Sequence, residues 1–144
     1  MKKKYRQSEP KPPRVGVREI DEQHKRLNNL IASISNMCGC QEKIKNIEFA
    51  MLVKQTLYYV NYHVKYEVGL MEETAYPAIE EHLKFHKIFF MNFLDHIRAF
   101  ESQRQFSPEK LPPFLLDWLN THYLMDRDIS QHIKSSKRQL FFMK

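Results

Sequence analysis

The chain has 144 residues and a formal net charge of +6, and it contains only three glycines and two cysteines. A chain of this length can bury a continuous core as one domain without disulfides, and few glycines argue against a sheet protein with many turns. We therefore expect a single all-α domain.

The basic excess is confined to the N-terminus. Residues 1–18 hold seven Lys or Arg against Glu9 alone, whereas the remainder is balanced with 16 basic and 16 acidic residues. We expect a disordered basic arm at 1–14, a folded domain at 15–136 and a C-terminal tail at 137–144. No nucleic-acid partner is expected, and contact of the arm with nucleic acid or an anionic membrane is the minority alternative to a solvated tail.

The sequence also constrains the cellular setting. No apolar run approaches the roughly 18 residues that span a membrane, and residues 1–13 lack the apolar segment of a secretory signal, so we expect a cytoplasmic protein. Cys38 and Cys40 flank a single glycine, and a disulfide between them would close a strained ring. Free thiols in a reducing compartment are favoured over a redox or metal role.

The first two predicted helices carry stripes that repeat at steps of three and four residues. The stripe of the first helix consists of Ile20, His24, Leu27, Ile31, Ile34 and Cys38. The second helix, at about 43–73, places Leu52, Thr56, Tyr59, His63, Glu67 and Leu70 on one face. It ends before Tyr76-Pro77, and Pro77 suits the first turn of the next helix.

Two further helices follow the same pattern. The third carries Ile79, His82, His86, Phe89, Phe93, His96 and Phe100 on one face. The fourth begins after Pro112-Pro113 and carries Leu115, Trp118, His122, Asp126, Ile129 and Ile133. Four amphipathic helices with short links predict an up-down-up-down four-helix bundle.

Potential metal ligands lie within these stripes, namely His24, His63, Glu67, His82, His86, His122 and Asp126. Six of them form pairs four residues apart, which places both side chains of a pair on one helix face, about 40° apart. A lone histidine there is usually a hydrogen-bonded core residue, but buried carboxylates are costly unless paired or metal-bound. The set therefore predicts two metal ions. His96 lies about 15 Å beyond His86 and His132 about 15 Å beyond His122 along their helices, and both are excluded.

Other metal patterns are absent from the sequence. It contains neither the Glu-x-x-His pairs of ferritin-like bundles nor the His-Glu-x-x-His of zinc proteases. A site of imidazoles and carboxylates suits iron, zinc or manganese, and two ions bridged by carboxylates suit iron best.

Three separated segments carry a resemblance to a known family. They are Val-Gly-Val-Arg-Glu-Ile-Asp-Glu-Gln-His at 15–24, the block from His-Val-Lys-Tyr-Glu at 63–67 to Glu-His-Leu-Lys-Phe-His at 81–86, and Trp-Leu-Asn-Thr-His at 118–122. In this order they resemble the hemerythrin family, specifically its bacterial single-domain members, over about residues 15–134.

This resemblance implies a non-haem di-iron centre that binds dioxygen reversibly. The positions that match the family's iron ligands are His82, His86 and His122 for one iron, His24 and His63 for the other, and Glu67 as a bridge. The implied cofactors are two iron ions, as Fe²⁺ or Fe³⁺, with a bridging oxo or hydroxo group. Dioxygen is the implied partner, and it needs a dry pocket, for which Trp118, Leu119, Tyr123 and the Phe89/Phe93 stripe are candidates.

The last segment departs from the family's pattern at two positions. The family places Asp five residues after its histidine, but here that residue is Arg127, so Asp126 and Asp128 are the candidates. On a regular helix Asp126 lies about 40° from His122 and Asp128 about 240°, so we expect Asp126 to bridge the ions. Tyr123 replaces a small aliphatic residue and would bring a hydroxyl near bound oxygen.

The leading hypothesis is therefore a dioxygen-binding protein that carries, stores or delivers dioxygen. The alternative is a sensor of dioxygen, redox state or iron that acts through a partner. We do not expect an enzyme, because the sequence shows no further acid-base pair beyond the ligand set.

Overall fold

The computed structural model describes residues 12–39, 47–102 and 108–142, with side chains described as far as residue 136. These residues form four α-helices and one short 3-10 helix at Pro108–Lys110. The α-helices are α1 at Arg18–Cys38, α2 at Ile47–Glu73, α3 at Ile79–Ser102 and α4 at Leu111–Phe142. The described residues contain no strand, and the predicted all-α fold is confirmed.

Consecutive helices run antiparallel. The side-chain contacts that show this are His24 with His63 and Arg26 with Tyr59 between α1 and α2, and His86 with His122 and Phe93 with Phe114 between α3 and α4. In each case a step forward along one helix is a step backward along its neighbour. Close contacts also join α2 to α3 and α1 to α4, which gives the up-down-up-down four-helix bundle.

The start of α4 differs from the prediction. We expected the helix to begin after Pro112-Pro113, but it begins at Leu111 and contains both prolines. The first N–H groups of a helix have no carbonyl partner within the helix, so proline loses no hydrogen bond there. Pro77 likewise lies in a turn just before α3 rather than inside its first turn.

Two apolar clusters fill the bundle. The large cluster includes Leu27, Ile31, Phe49, Val60, Phe93, Leu115 and Trp118. The small cluster consists of Val15, Ile20, Met71, Ile129 and Ile133. The predicted metal ligands lie between them, since His24 follows Ile20 and precedes Leu27 by about one turn each. The bundle core is thus apolar at both ends and polar in the middle.

Several expectations concern the ends of the chain. Residues 1–11, most of the basic arm, lie outside the described residues, as does Cys40. α4 continues through residue 136 to Phe142, and the division of the chain at 136 stays a prediction. Cys38 is a free thiol that donates to the carbonyl oxygen of Pro108 at 3.3 Å. Among the described helices, none combines the length and apolar character needed to cross a membrane.

The packing of α3 predicts a large loss of stability on truncating its core aromatic residue. Phe93 is fully buried, whereas Met91 on the same helix is 57% exposed. We expect Phe93→Ala to lower the free energy of unfolding by about 3–5 kcal/mol and Met91→Ala by less than about 0.5 kcal/mol. Urea denaturation of both variants measures the difference, and equal midpoints would contradict the assigned core.

Candidate metal centre

Each helix contributes to one polar cluster inside the bundle. α1 supplies His24, α2 supplies His63 and Glu67, α3 supplies His82 and His86, and α4 supplies His122 and Asp126. All of these side chains are 3% exposed or less. The structure therefore brings together every residue that the sequence predicted as a ligand, although their roles as ligands stay predictions.

Asp126 makes the shortest contact of the cluster. Its Oδ2 accepts a hydrogen bond from Nε2 of His24 at 2.6 Å, and it lies 2.9 Å from Nε2 of His122 and 3.3 Å from Nε2 of His63. Asp128 is exposed on the opposite side of α4. The structure thus agrees with the helical phase predicted for these two carboxylates, and α4 is regular α-helix between His122 and Asp126.

Glu67 lies between the other helices. Its Oε2 is 3.1 Å from Nε2 of His63, and its Oε1 is 3.3 Å from Nε2 of His122 and 3.5 Å from Nε2 of His82. None of these contacts has the geometry of a hydrogen bond, so both carboxylate oxygens are buried without a hydrogen-bond partner. A carboxylate in this position faces nitrogen atoms from three histidines on three helices.

Buried polar atoms without a hydrogen-bond partner indicate whether metal ions fit the cluster. Buried atoms without a hydrogen-bond partner include both oxygens of Glu67, Oδ1 of Asp126, Nε2 of His82 and both ring nitrogens of His86. Leaving such groups unpaired in the interior costs about 1–3 kcal/mol each, and more for charged groups. Imidazole nitrogens and carboxylate oxygens are the ligands that iron, zinc and manganese accept, so the residues fit a metal centre.

The carboxylates also determine which histidines carry a proton in this arrangement. Burial lowers the pKa of His122, but the neighbouring Asp126 and Glu67 outweigh it and raise that pKa to about 10. Burial, His122 and His82 together lower the pKa of His86 to about 3. Although burial opposes ionisation of Glu67, His122 and His63 hold its pKa well below the usual range. The negative charges of Glu67 and Asp126 thus favour positive charge beside them, either as protons on the histidines or as metal ions.

Gln23 contacts the cluster, and the sequence analysis did not predict this residue. Its Oε1 accepts a hydrogen bond from Nδ1 of His63 at 2.7 Å, and the side chain is buried. This bond places the proton of neutral His63 on Nδ1 and leaves the lone pair of Nε2 facing the cluster. The only sequence signal was that a glutamine directly precedes His24. The hydrogen bond itself could not be predicted, because His63 lies 40 residues further along the chain.

The predicted pocket residues adjoin the cluster. Trp118 stacks on His122 with ring centroids 4.6 Å apart, and Phe89 stacks on the other side of Trp118 at 4.2 Å. The ring of Tyr123 meets His24 edge-on at 4.8 Å, and its buried hydroxyl has no hydrogen-bond partner. Leu119 is fully buried in the large cluster. The pocket role of these residues stays a prediction.

Two further histidines lie outside the cluster, as predicted. His132 donates to the carbonyl oxygen of Thr74 at 2.7 Å and so joins α4 to the end of α2. His96 lies next to Phe114, with ring centroids 4.8 Å apart.

Comparisons with known proteins found curated relatives that share one name, bacteriohemerythrin. The chain is 26% identical to a bacteriohemerythrin of Stenotrophomonas maltophilia over 108 residues, which is 75% of this chain and 68% of that protein. It is also 26% identical to bacteriohemerythrins of Pseudomonas aeruginosa and Pseudomonas paraeruginosa over 112 residues, or 78% of this chain and 71% of each relative. The chain is thus similar to bacteriohemerythrins over about three quarters of its length. No family model matches the chain, and no solved structure matches it significantly.

The protonation of the cluster predicts that metal binding releases protons. Because the pKa of His122 is raised to about 10, its ring is protonated at pH 7 and must lose that proton before it can coordinate a metal. Affinity for Zn²⁺ should therefore rise between pH 7 and pH 9, by up to about tenfold per pH unit for one displaced proton. Calorimetric titrations in two buffers of different ionisation enthalpy count the protons, and a count of zero would contradict this prediction.

Proposed function

We propose that this protein holds two iron ions in the buried cluster and binds dioxygen reversibly, as a carrier, store or donor of dioxygen rather than as an enzyme. The observation that supports this most strongly is the set of five histidines and two carboxylates on four helices, with ligand atoms buried and unsatisfied. The relatives named bacteriohemerythrin support the choice of iron and of dioxygen.

The proposed ligands divide among the helices as the resemblance implies. His82, His86 and His122 would hold one ion, and His24 and His63 would hold the other. Glu67 and Asp126 would contact both ions, because each carboxylate lies near histidines of both groups. A pair of ferrous ions, when bound, supplies the two electrons that reversible dioxygen binding requires. Gln23 would keep the lone pair of His63 directed at its ion.

The surrounding residues would keep water away from the bound gas. Trp118, Leu119 and Phe89 are all buried and present apolar surface beside the histidines. An oxygen-binding centre needs such a pocket, because water favours irreversible oxidation of the iron. Burial and the nearby Asp126 raise the pKa of Tyr123, so its hydroxyl stays protonated and can donate a hydrogen bond.

The optical spectrum of the iron-loaded protein tests the proposed function. We expect the reduced, anaerobic protein to gain a charge-transfer band in air and to lose it again when oxygen is removed. Prompt irreversible oxidation would instead favour the alternative of a sensor, for which the Tyr123 hydroxyl beside His24 is the supporting observation. Absence of any iron-dependent band would contradict both functions.

A pair of histidines on α3 tests the ligand set. The iron content of His82→Ala should be clearly below two per chain, because the substitution removes one ligand of one ion. His96→Ala should retain two, since His96 lies beside Phe114 and outside the cluster. Elemental analysis after desalting measures both variants. Two irons per chain in His82→Ala would overturn the assignment.

Tyr123 is expected to stabilise bound dioxygen. A hydrogen bond contributes about 0.5–1.5 kcal/mol, so Tyr123→Phe should speed dioxygen release by about twofold to tenfold. The matched control is Tyr62→Phe, because Tyr62 lies on the outer face of α2 and is 55% exposed. Stopped-flow deoxygenation compares the two variants. An unchanged release rate in Tyr123→Phe would place the hydroxyl away from the bound gas.

A further inference from the structure

The outer face of α2 carries large apolar and aromatic side chains that are exposed to solvent. The four that form this α2 stripe are Ile47 at 73% exposure, Met51 at 64%, Tyr58 at 78% and Tyr62 at 55%. At about 100° per residue they fall within an arc of roughly 60°, on the side of the helix away from the metal ligands. An exposed surface of this kind is typical of an interaction site.

Gly69 continues the stripe along α2. It lies about five turns beyond Met51 and therefore at the same helical phase. A Cβ at this position would meet nothing of the described structure within 4 Å, so no contact inside the chain requires a glycine there. Glycine is unfavourable inside a helix and is used where another part of a protein must approach closely. Gly69 therefore points to a close approach from outside the chain.

The spacing of the stripe is the same in both directions along the helix. Met51, Tyr58, Tyr62 and Gly69 are separated by seven, four and seven residues. Two antiparallel copies of α2, related by a two-fold axis level with residue 60, bring Met51 of each copy opposite Gly69 of the other. They also bring Tyr58 of each copy beside Tyr62 of the other. The flexible Met51 side chain thus meets the position without a side chain, and each tyrosine ring meets another ring.

Charge on the outer face of α2 favours a second copy over the basic arm. Residues 1–11 hold five Lys or Arg against Glu9, and Lys54 and Lys65 at the edge of the stripe repel them. In the antiparallel arrangement, Lys65 of the second copy comes to the edge where Lys54 pairs with Glu101 of α3 at 2.9 Å. Glu101 can then accept from both lysines, once on each side of the two-fold axis.

The size of the stripe determines how strong such an association should be. The two tyrosines expose roughly 250 Å² together, and Ile47 and Met51 bring the stripe to roughly 500 Å². The stems of the flanking lysines extend it toward the ~800 Å² per partner that a standard interface buries. An interface at the lower end of this range is typical of weak, reversible association, with a dissociation constant of about 1–100 μM.

We propose that the α2 stripe is a self-association surface, on which a second copy of this chain packs its own α2 antiparallel to form a two-fold symmetric dimer. The metal ligands of the two copies stay apart, because His63 and Glu67 lie on the opposite side of α2. The inference is independent of the proposed dioxygen binding, since no residue of the stripe belongs to the ligand cluster.

Analytical ultracentrifugation of the full chain between about 5 and 500 μM measures the association. We expect the average mass to rise with concentration from one chain toward two. Tyr58→Lys places a charge at the centre of the stripe and should weaken the dimer about tenfold or more. The matched control is Leu124→Lys on α4, because Leu124 is 59% exposed and the charge change is the same. The control should change the dissociation constant by less than about threefold.

A substitution of Gly69 separates self-association from the stability of the single chain. Glutamine favours a helix more than glycine does, and its side chain has open space at this position. Gly69→Gln in dilute solution should therefore melt at the same temperature as the unmodified chain or higher. In the dimer it occupies the place of Met51 of the second copy, so it should weaken association about tenfold or more. A lower melting temperature in dilute solution would show that Gly69 serves the fold itself and would contradict the inference.

Three further results would overturn the inference. One is the mass of a single chain at every concentration, which would show that the chain does not self-associate. Another is a dimer that persists unchanged in Tyr58→Lys and Gly69→Gln, which would place the interface on a different face. The third is a chain that stays monomeric but sediments with phosphatidylglycerol vesicles, which would assign the stripe to an anionic membrane.

Discussion

Two carboxylates buried in an apolar helical bundle are the constraint on which the rest of this structure depends. Glu67 and Asp126 are both fully buried, and isolated ionised carboxylates are too costly to place in such an interior. Five histidines surround them. A protonated histidine supplies positive charge to the carboxylates, and a neutral one offers a lone pair to a metal ion. Each of the four helices accordingly turns at least one polar residue inward at the same level of the bundle.

Helical phase accounts for most of what could be predicted from the sequence. The spacing of four residues between His63 and Glu67 fixed their common face before any contact was known, and the same reasoning separated Asp126 from Asp128. The fold followed from four apolar stripes with short links. These features depend on positions within single helices, which a periodic pattern specifies directly.

Features that depend on the contact of two helices could not be predicted in this way. Gln23 lies about 100° around α1 from His24, so its place beside His63 depends on how closely α1 and α2 approach. The contact of Asp126 with His24 depends on the position of α1 relative to α4. The predicted start of α4 was wrong for a different reason. Two adjacent prolines suggest a break in a helix, but the first turn of a helix tolerates proline.

The division of the core into two apolar clusters has a consequence for how ions reach so buried a site. The small cluster contains five buried residues at the end of the bundle where Val15 lies, and the large cluster contains many more. Opening the end of the bundle that holds the small cluster exposes less apolar surface to water. Such an opening therefore costs less free energy than global unfolding. Amide hydrogens near that end should exchange with solvent sooner than those of the large cluster, and the same opening would admit an ion to the proposed metal centre.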